Sequence, residues 1–248
     1  MNIIFLDTET TDIINPRLVQ LAYKNATTGD VVNELFKPPV PISFGSMATH
    51  HITEEMVCQK PVFVGSSWQL ELIDLVHESI IVAHNAAFDI TTLANEGVGV
   101  LQSIDTEQVA RHVLESDRYA LQYLRYAVHL NVAAQAHDAW GDVLVLEALF
   151  QYLKTSVQNR FDLSSDEAII KKMIELSVTP VLLVTMRFGK HKGKTFVEVV
   201  EQDKQYLEWM HATKTENGID PRDEDLVYTL KYHLQIEQLI TFPSLKKI

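Results

Sequence analysis

The 248-residue chain has a single cysteine, Cys58, and contains no long hydrophobic run. One cysteine excludes an intramolecular disulfide and is typical of a reducing compartment such as the cytoplasm. No apolar stretch approaches the roughly 20 residues that a membrane-spanning helix requires. The N-terminus also lacks a basic region followed by a small-residue cleavage site. We therefore expect a cytoplasmic protein with no membrane partner.

Basic residues are scarce in the first part of the chain. Residues 1–150 hold 7 Lys or Arg against 19 Asp or Glu, whereas residues 151–248 hold 14 of each. The whole net charge of −12 therefore lies in the first 150 residues. An acidic surface repels a polyanion unless bound cations reverse its field locally. This asymmetry predicts two modules with different roles.

Short apolar runs alternate with longer helix-like stretches in the first module. The runs predict five strands, which lie at 2–7, 17–24, 30–36, 79–85 and 101–105. The stretches between and after them predict helices at 71–78, 87–97, 106–115, 119–129 and 139–154. This order predicts an α/β fold in which helices flank a mixed five-stranded sheet.

The pattern weakens after residue 153. The polar stretch at 154–166 predicts a connector, and Ser and Asp then open a short helix. We divide the chain into a first domain at 1–165, a linker helix at 166–178 and a small second domain at 179–248. A β-branched run, a basic glycine-rich turn and two amphipathic helices predict an α+β fold for the second domain.

The first apolar run ends in two carboxylates within the sequence IIFLDTETT, residues 3–11. Asp7 and Glu9 stand at positions i and i+2 and therefore project from the same face of a strand. Two neighbouring carboxylates beside a core are costly unless a cation neutralises them, and no Lys or Arg precedes Arg17. A divalent metal ion meets this requirement because hard cations prefer oxygen ligands. The alternative is a strand that ends in solvent.

Two further stretches place acidic residues at the ends of predicted elements. VAHNAAFD puts Asp89 one turn into a helix that follows a buried strand, and AHDAWGD puts His137 five residues before Asp142. Five residues span about 500° of a helix, so the side chains of His137 and Asp142 cannot share a helical face. We therefore place His137 in a loop, Asp138 near the N-cap and Asp142 one turn inside the helix.

The motifs DTETT, HNAAFD and HDAWGD, in this order, resemble the three exonuclease motifs of the DnaQ-like superfamily, in its DEDDh branch. ATHHITEEMV and SIDTEQVAR resemble segments that this family places between those motifs. The resemblance implies a ribonuclease H-like fold and a 3′–5′ exonuclease with two Mg²⁺ or Mn²⁺ ions as cofactors. It also implies that His137 is the general base and that the catalytic metal ligands are Asp7, Glu9, Asp89 and Asp142.

The same region contains candidate substrate contacts. Thr8 and Thr10 alternate with the acids, and their hydroxyl or backbone groups are predicted to hold the terminal nucleotide. By resemblance, His50 approaches the substrate. Phe88 is predicted to stack on a terminal base, with core packing as its alternative. Asn85 is a candidate contact whose alternative role is helix capping.

The chain departs from related sequences at Asp12, where many of them have Gly after the first motif. Asp accepts turn conformations better than most residues do. An additional negative charge at this position is expected to lie near the acids, and its effect is left open.

The turn RFGKHKGK at 187–194 places basic charge beside aromatic residues. Its four Lys or Arg lie in a stretch, 176–197, that has no acid. Lys190, Lys192 and Lys194 are therefore predicted to contact a nucleic-acid backbone, with a solvated basic hairpin as the alternative. The longer stretch FGKHKGKTFVEVVEQDKQYLEWM resembles the small C-terminal domain of the exonuclease X family.

Together these features predict a DNA repair exonuclease that acts on a single-stranded or frayed 3′ end and releases nucleoside 5′-monophosphates. The alternatives with the same chemistry are an RNA 3′–5′ exonuclease and an epsilon-like proofreading subunit of DNA polymerase III. From other classes, an aspartate-nucleophile phosphatase and a non-catalytic DNA-binding adaptor are also considered. The peptide QLITF, Gln238–Phe242, faintly resembles a sliding-clamp ligand and adds the clamp as a candidate partner.

Overall fold

The computed structural model describes residues 1–134, 138–220 and 223–236. The chain divides into two compact units, Met1–Val178 and Thr179–Ile248. The strands of the first unit are β1 (Asn2–Thr10), β2 (Leu18–Asn25), β3 (Val31–Leu35), β4 (Ser79–Ala83) and β5 (Ser103–Asp105). Its helices are α1 (Phe44–His50), α2 (Glu54–Val57), α3 (Ser67–His77), α4 (Ala86–Asn95), α5 (Thr106–Val113), α6 (Leu121–Ala127), α7 (Ala139–Phe161) and α8 (Asp166–Ser177).

The five strands form one mixed sheet in the order β3-β2-β1-β4-β5. β1, β2 and β3 are a meander of antiparallel neighbours, whereas β4 pairs in parallel with β1 and β5 pairs in parallel with β4. The predicted α/β class with a mixed five-stranded sheet is confirmed. Because β1 and β4 run in the same direction, their carboxyl ends meet at one edge of the sheet, which is where α4 begins.

Helices cover both faces of the sheet, and alternation along β1 divides its side chains between them. Ile4 and Leu6 pack in a cluster with Leu72 of α3 and Leu93 of α4. Phe5 packs on the other face, in a cluster formed with residues of α5, α6, α7 and α8. Because Asp7 and Glu9 continue the odd-numbered series, they project on the face that α7 covers.

Helix α7 is longer than the sequence pattern predicts. The expected connector at 154–166 is wrong over its first half, because α7 continues to Phe161. Leu149, Leu153 and Val157 recur every four residues and are buried in the core of the first unit, so polar residues occupy only the exposed face. Helix α8, which lies in the segment predicted as a linker, also contributes buried side chains to this core.

The second unit contains α9 (Phe196–Thr215) and α10 (Glu224–Leu234), which pack through a cluster that includes Phe196, Leu207 and Leu230. In the described part of this unit, β structure is limited to two isolated bridges, an antiparallel one between Thr185 and Thr195 and a parallel one between Glu216 and Gly218. The predicted strand content is therefore too high, because the basic turn closes after a single bridged pair instead of forming a hairpin.

Within the described residues, no helix has the length and apolar composition needed to span a membrane.

Candidate active site

Three acidic side chains meet at the carboxyl end of β1. Phe5 packs edge-to-face against Phe150 of α7, with ring centroids 5.3 Å apart, so α7 lies over the face from which Asp7 and Glu9 project. The first turn of α7 brings Asp142 to them. Carboxylate oxygens of Asp7, Glu9 and Asp142 lie within 4.8 Å of one another. We call these three residues the acidic cluster.

The start of α7 is tied to the sheet by polar contacts. Asp138 is the N-cap residue, and its carboxylate accepts a hydrogen bond from the Gly141 N–H at 3.2 Å. Gln20 lies opposite Glu9 in the β1–β2 pairing and donates to the Asp138 carboxylate at 3.0 Å. The helix start predicted for this stretch is therefore correct. Because Gln20 lies on β2, it ties the first turn of α7, which carries Asp142, to the sheet.

Asp89 approaches β1 from the first turn of α4 and is 3% exposed. Its Oδ1 accepts hydrogen bonds from the Thr8 backbone N–H at 3.0 Å and from the Thr8 hydroxyl at 2.8 Å. Asp89 also repels Asp7 and raises the pKa of that carboxyl. It is not a member of the acidic cluster, but it adds a fourth carboxyl group beside it.

Burial and mutual repulsion oppose ionisation of these acids. Burial, together with repulsion from Asp89 and Glu9, raises the pKa of Asp7 well above its ordinary value. Burial and the neighbouring carboxylates raise the pKa of Glu9 to about 8. Burial raises the pKa of Asp89 to about 7, although its hydrogen bonds from Thr8 act in the opposite direction. Near neutral pH the site therefore binds protons unless a cation competes for the oxygens.

The first basic residue in the sequence does not supply that cation. Arg17 forms a two-point ion pair with Glu96, with Nε–Oε1 at 2.8 Å and Nη2–Oε2 at 3.0 Å. Glu96 is buried and also accepts from the Leu18 N–H at 3.0 Å. Several repelling carboxylates that offer only oxygen donors fit a hard divalent cation. The alternative of a strand that simply ends in solvent does not agree with these contacts.

His137 and His50 are the two histidines predicted to belong to the site. His137, the predicted general base, lies outside the described residues. His50 is 6% exposed, and its Nδ1 accepts a hydrogen bond from the Ile52 N–H at 3.0 Å. Its Nε2 therefore carries the proton and donates to the Thr10 carbonyl at 3.2 Å. Since both ring nitrogens are used, His50 anchors α1 to the end of β1 and offers no free nitrogen to a substrate.

The hydroxyls of Thr8 and Thr10 are also used within the protein. Thr8 holds Asp89, and the Thr10 hydroxyl donates to the Asp12 carbonyl at 3.1 Å. The Asp12 carboxylate accepts from the Ile14 N–H at 3.1 Å, and this bond lowers the pKa of Asp12. Asp12 thus stabilises the loop after β1. A direct contact of either threonine with a terminal nucleotide remains a prediction.

Asn85 occupies the N-cap position of α4 in a left-handed conformation, φ 63° and ψ 51°, but its side chain makes no capping bond. The capping role predicted for it is wrong, because Asp105 performs it. The Asp105 carboxylate accepts from the N–H groups of Asn85 at 3.0 Å and Ala86 at 3.1 Å, and also from that of Glu107 in α5 at 2.9 Å. The exposed side chain of Asn85 is left as a candidate substrate contact.

Phe88 precedes Asp89 on α4 and is half-buried. The hydrophobic clusters that the described residues of the first unit form do not include it. Its position therefore does not support core packing, and its role in stacking on a base remains a prediction.

The basic turn of the second unit, residues 187–194, is closed by two backbone hydrogen bonds of 2.8 Å between Met186 and the pair Gly193 and Lys194. Gly189 has φ 74°, and a Cβ atom there would lie 2.3 Å from the Tyr206 hydroxyl oxygen. Both the conformation and the close approach of Tyr206 require glycine at this position.

The three lysines predicted to bind nucleic acid have different partners. Lys190 Nζ lies 2.6 Å from Asp203 Oδ2, which His191 Nε2 also contacts at 2.8 Å. Lys194 donates to the neutral side chain of Gln202 at 2.6 Å, and its charge also helps to lower the pKa of Glu198. Asp203 therefore offsets the charge of Lys190, while Arg187 and Lys192 are exposed.

Three polar residues that contact the site were not predicted from the sequence. Gln20 interrupts the apolar strand LVQLAY, and a polar side chain within a buried run was the signal for it. Asp105 is identifiable as the cap of α5, but not as the partner of α4. Gln122 of α6 donates from its amide nitrogen to Asp142 Oδ1, and nothing in the sequence indicates this contact across 20 residues.

Comparison with known proteins agrees with this arrangement. Residues 4–150 match the family described as Exonuclease, and residues 186–212 match the Exodeoxyribonuclease X-like C-terminal family. Exodeoxyribonuclease 10 of Escherichia coli strain K12 is 30% identical, over 93% of this chain and 97% of that protein. DNA polymerase III subunit epsilon of Rickettsia conorii is 27% identical, over 68% of this chain and 81% of that protein.

Solved structures show the same fold. Exonuclease X in complex with 5′ overhanging duplex DNA aligns with a TM-score of 0.55 and 27% identity, over 71% of this chain and 99% of that chain. Escherichia coli exonuclease I in complex with a dT13 oligonucleotide aligns with a TM-score of 0.52 and 20% identity, over 65% of this chain and 42% of that chain. The predicted family resemblance is confirmed, and the chain belongs to the exonuclease family, with a C-terminal segment of the exodeoxyribonuclease X-like type.

Proposed function

We propose that the protein is a metal-dependent 3′–5′ DNA exonuclease that releases nucleoside 5′-monophosphates. The observation that carries this proposal is the acidic cluster, in which β1 and α7 bring three carboxylates within 4.8 Å at the end of the sheet. Membership of the exonuclease family implies dependence on a divalent metal. Phosphodiester hydrolysis at a polyanion requires such a cation, because the site is itself negatively charged.

The acidic cluster is proposed to hold two divalent ions, Mg²⁺ or Mn²⁺, with Asp89 as a fourth ligand. When bound, the ions would stabilise the charge that develops on the attacking and leaving oxygens of the phosphate. The protein's own contribution is to fix the ligands: Thr8 orients Asp89 through two hydrogen bonds, and Gln122 donates to Asp142. These contacts keep the acids in place despite their repulsion.

His137 is proposed to accept the proton of the attacking water. An imidazole has a pKa near neutrality, so it can take this proton as the water oxygen bonds to phosphorus and the 3′ oxygen of the preceding nucleotide leaves. His137 precedes Asp138, the N-cap of α7. It therefore lies five residues before Asp142 in the sequence, a spacing that is expected of the histidine branch of the family.

DNA is the proposed substrate because of the relatives' activities. Exodeoxyribonuclease 10 of Escherichia coli aligns over 93% of this chain, and the exonuclease X structure was solved with 5′ overhanging duplex DNA. A single-stranded or frayed 3′ end is the proposed form. The epsilon subunits align over a smaller part of this chain, so a proofreading subunit is the weaker alternative. An RNA exonuclease remains the alternative that requires direct comparison.

Matched DNA and RNA oligonucleotides, labelled at the 3′ or the 5′ end, test this function directly. With Mn²⁺ and single-stranded DNA, we expect 3′ label to be released at once as a mononucleotide and 5′ label to remain on a ladder of shortening products. EDTA should stop both. Early loss of the 5′ label, activity that persists in EDTA, or faster degradation of RNA would contradict the proposal.

The second unit is proposed to hold the DNA backbone through its basic turn. In an Asp7→Asn background, which prevents cleavage, changing both Lys192 and Lys194 to Gln should weaken single-stranded DNA binding. Loss of two phosphate contacts is expected to reduce the slope of log K against log salt by about 1.4. Fluorescence anisotropy over a salt series measures this slope. Lys204→Gln, on the same unit, is the matched control, and an equal slope in all variants would contradict the role of the turn.

A clamp partner, a location and a biological role are three further proposals. The segment Gln238–Phe242, considered as a sliding-clamp ligand, lies outside the described residues. A cytoplasmic location and a role in DNA repair are likewise proposed from the single cysteine and from the relatives' activities.

A further inference from the structure

Helix α6 contacts the acidic cluster through one side chain. The Gln122 amide nitrogen donates to Asp142 Oδ1. Asp7 and Glu9 are surrounded by carboxylates that raise their pKa. Asp142 is one of these carboxylates, and the neutral amide of Gln122 holds one of its oxygens.

The orientation of the Gln122 amide is set by Arg125, three residues later on α6. Arg125 Nη1 donates to the Gln122 side-chain oxygen at 3.1 Å. A guanidinium has only donors, so the atom that faces it must be the amide oxygen. The amide nitrogen then has to point the other way, toward Asp142. Arg125 thus determines which group Gln122 offers to the acid.

Arg125 is itself held by the backbone. Its Nη1 also donates to the Ala134 carbonyl at 3.2 Å, and its Nη2 donates to the Val132 carbonyl. The guanidinium carbon lies 5.4 Å from the centroid of the Tyr126 ring. A planar fork with several fixed donors can make these bonds at once, whereas a lysine ammonium is a single point charge. The arrangement therefore depends on arginine and not only on positive charge.

We propose that Gln122 and Arg125 are positioning residues for Asp142, and that Arg125 orients the Gln122 amide so that it holds Asp142 ready to bind metal. This inference rests on the proposed metal-dependent function. Groups behind a metal ligand fix its orientation, and their loss typically lowers metal affinity or activity by about 10- to 100-fold. We call Arg125 and Gln122 the relay, because together they link the carbonyls of residues 132 and 134 to Asp142 in the acidic cluster.

Packing of α6 does not depend on these polar contacts. Leu124 is fully buried in the core of the first unit, and Leu121 packs against the same core. Gln122 and Arg125 are only half-buried. Conservative variants at these two positions should therefore fold, with melting temperatures in EDTA close to that of the unaltered protein.

Gln122→Met and Arg125→Lys test the relay with two measurements. Gln122→Met keeps the size of the side chain but removes the donor, and Arg125→Lys keeps the charge but loses the fork. For each we expect Mn²⁺ affinity, measured by calorimetry without DNA, and kcat to fall about tenfold, since both depend on a correctly held Asp142. KM for DNA should stay within about twofold, because neither side chain is proposed to contact substrate.

The double variant is the sharpest test of a relay. If Arg125 acts through Gln122, combining the two changes should cost no more than Gln122→Met alone. Multiplied losses, or values equal to the unaltered protein in either single variant, would overturn the inference. Gln151→Met and Arg160→Lys, both exposed on α7, are the matched controls. Failure of the unaltered protein to bind Mn²⁺ or to degrade DNA would instead overturn the proposed function itself.

Discussion

Asp7→Asn is expected to lower kcat for nucleotide release by about a thousandfold or more, equivalent to about 4 kcal/mol of activation free energy. Asp7 is the central acid of the site, since Asp89, Glu9 and Asp142 all raise its pKa by repulsion. Asn keeps the shape of the side chain but removes the anionic oxygen that a divalent cation requires. Single-turnover release of mononucleotides at saturating DNA and Mn²⁺ measures the loss.

The same substitution should stabilise the protein when metal is absent. The folded protein disfavours a charge at Asp7, so removing this carboxyl relieves both burial of the charge and repulsion. We expect Asp7→Asn to melt at a higher temperature than the unaltered protein in EDTA at pH 8. Asp74→Asn, an exposed change on α3, should alter neither property. Retained activity would reject the site, and a lower melting temperature would reject the electrostatic explanation.

Stability of the metal-free protein is expected to fall as pH rises from about 5 to about 8. The pKa of Glu9 is raised from 4.5 to about 8, and that of Asp89 from 3.8 to about 7. Across this window the folded state therefore holds more protons than the unfolded state. The free energy of unfolding changes with pH in proportion to the number of protons bound by the unfolded state minus the number bound by the folded state. This difference is negative here, so the free energy of unfolding decreases as pH rises. A loss of about 2 kcal/mol corresponds to a fall in melting temperature of about 4–8 °C for a unit of this size.

Divalent metal should remove this pH dependence. Metal binds the deprotonated acids, so at pH 8 saturating Mn²⁺ is expected to raise the melting temperature by more than it does at pH 5. Melting curves in EDTA and in Mn²⁺ from pH 5 to pH 9 test both statements. Asp7→Asn is the informative comparison, because its curve in EDTA should be flatter. A melting temperature in EDTA that rises with pH over this range would contradict the predicted protonation of the site.

The acids of the site were identifiable because local spacing carries their chemistry. Asp7 and Glu9 share a face wherever the chain is extended, and β1 is a strand with that alternation. Asp138 and Asp142 belong to a helix start whose capping chemistry is also local. A prediction of this kind needs no knowledge of distant contacts, and the elements that carry it were confirmed.

The errors lie where a partner distant in sequence decides the outcome. Asn85 stands at the N-cap position of α4, yet Asp105 accepts the N–H groups there because β5 ends beside that helix. Helix α7 extends through a polar stretch because Val157 and Phe161 pack against the core. His50 reaches the Thr10 carbonyl across 40 residues, a contact that its sequence neighbours do not indicate, while its predicted approach to substrate stays a prediction. Each result follows from packing that periodicity along the chain does not contain.

The sequence alone therefore predicted the order of the five strands, the order of the motifs and the candidate acids, since these depend on residue type and spacing, but it did not predict the short helices α1 and α2. The tertiary structure decided which acids meet: β1 and α7 bring Asp7, Glu9 and Asp142 within 4.8 Å, while Thr8 holds Asp89 beside them. It also placed Gln20 against Asp138, Gln122 against Asp142 and Arg125 against Gln122. The physical reason is that charge repulsion and orientation depend on distances in space, and folding sets those distances only when the sheet and its helices pack together.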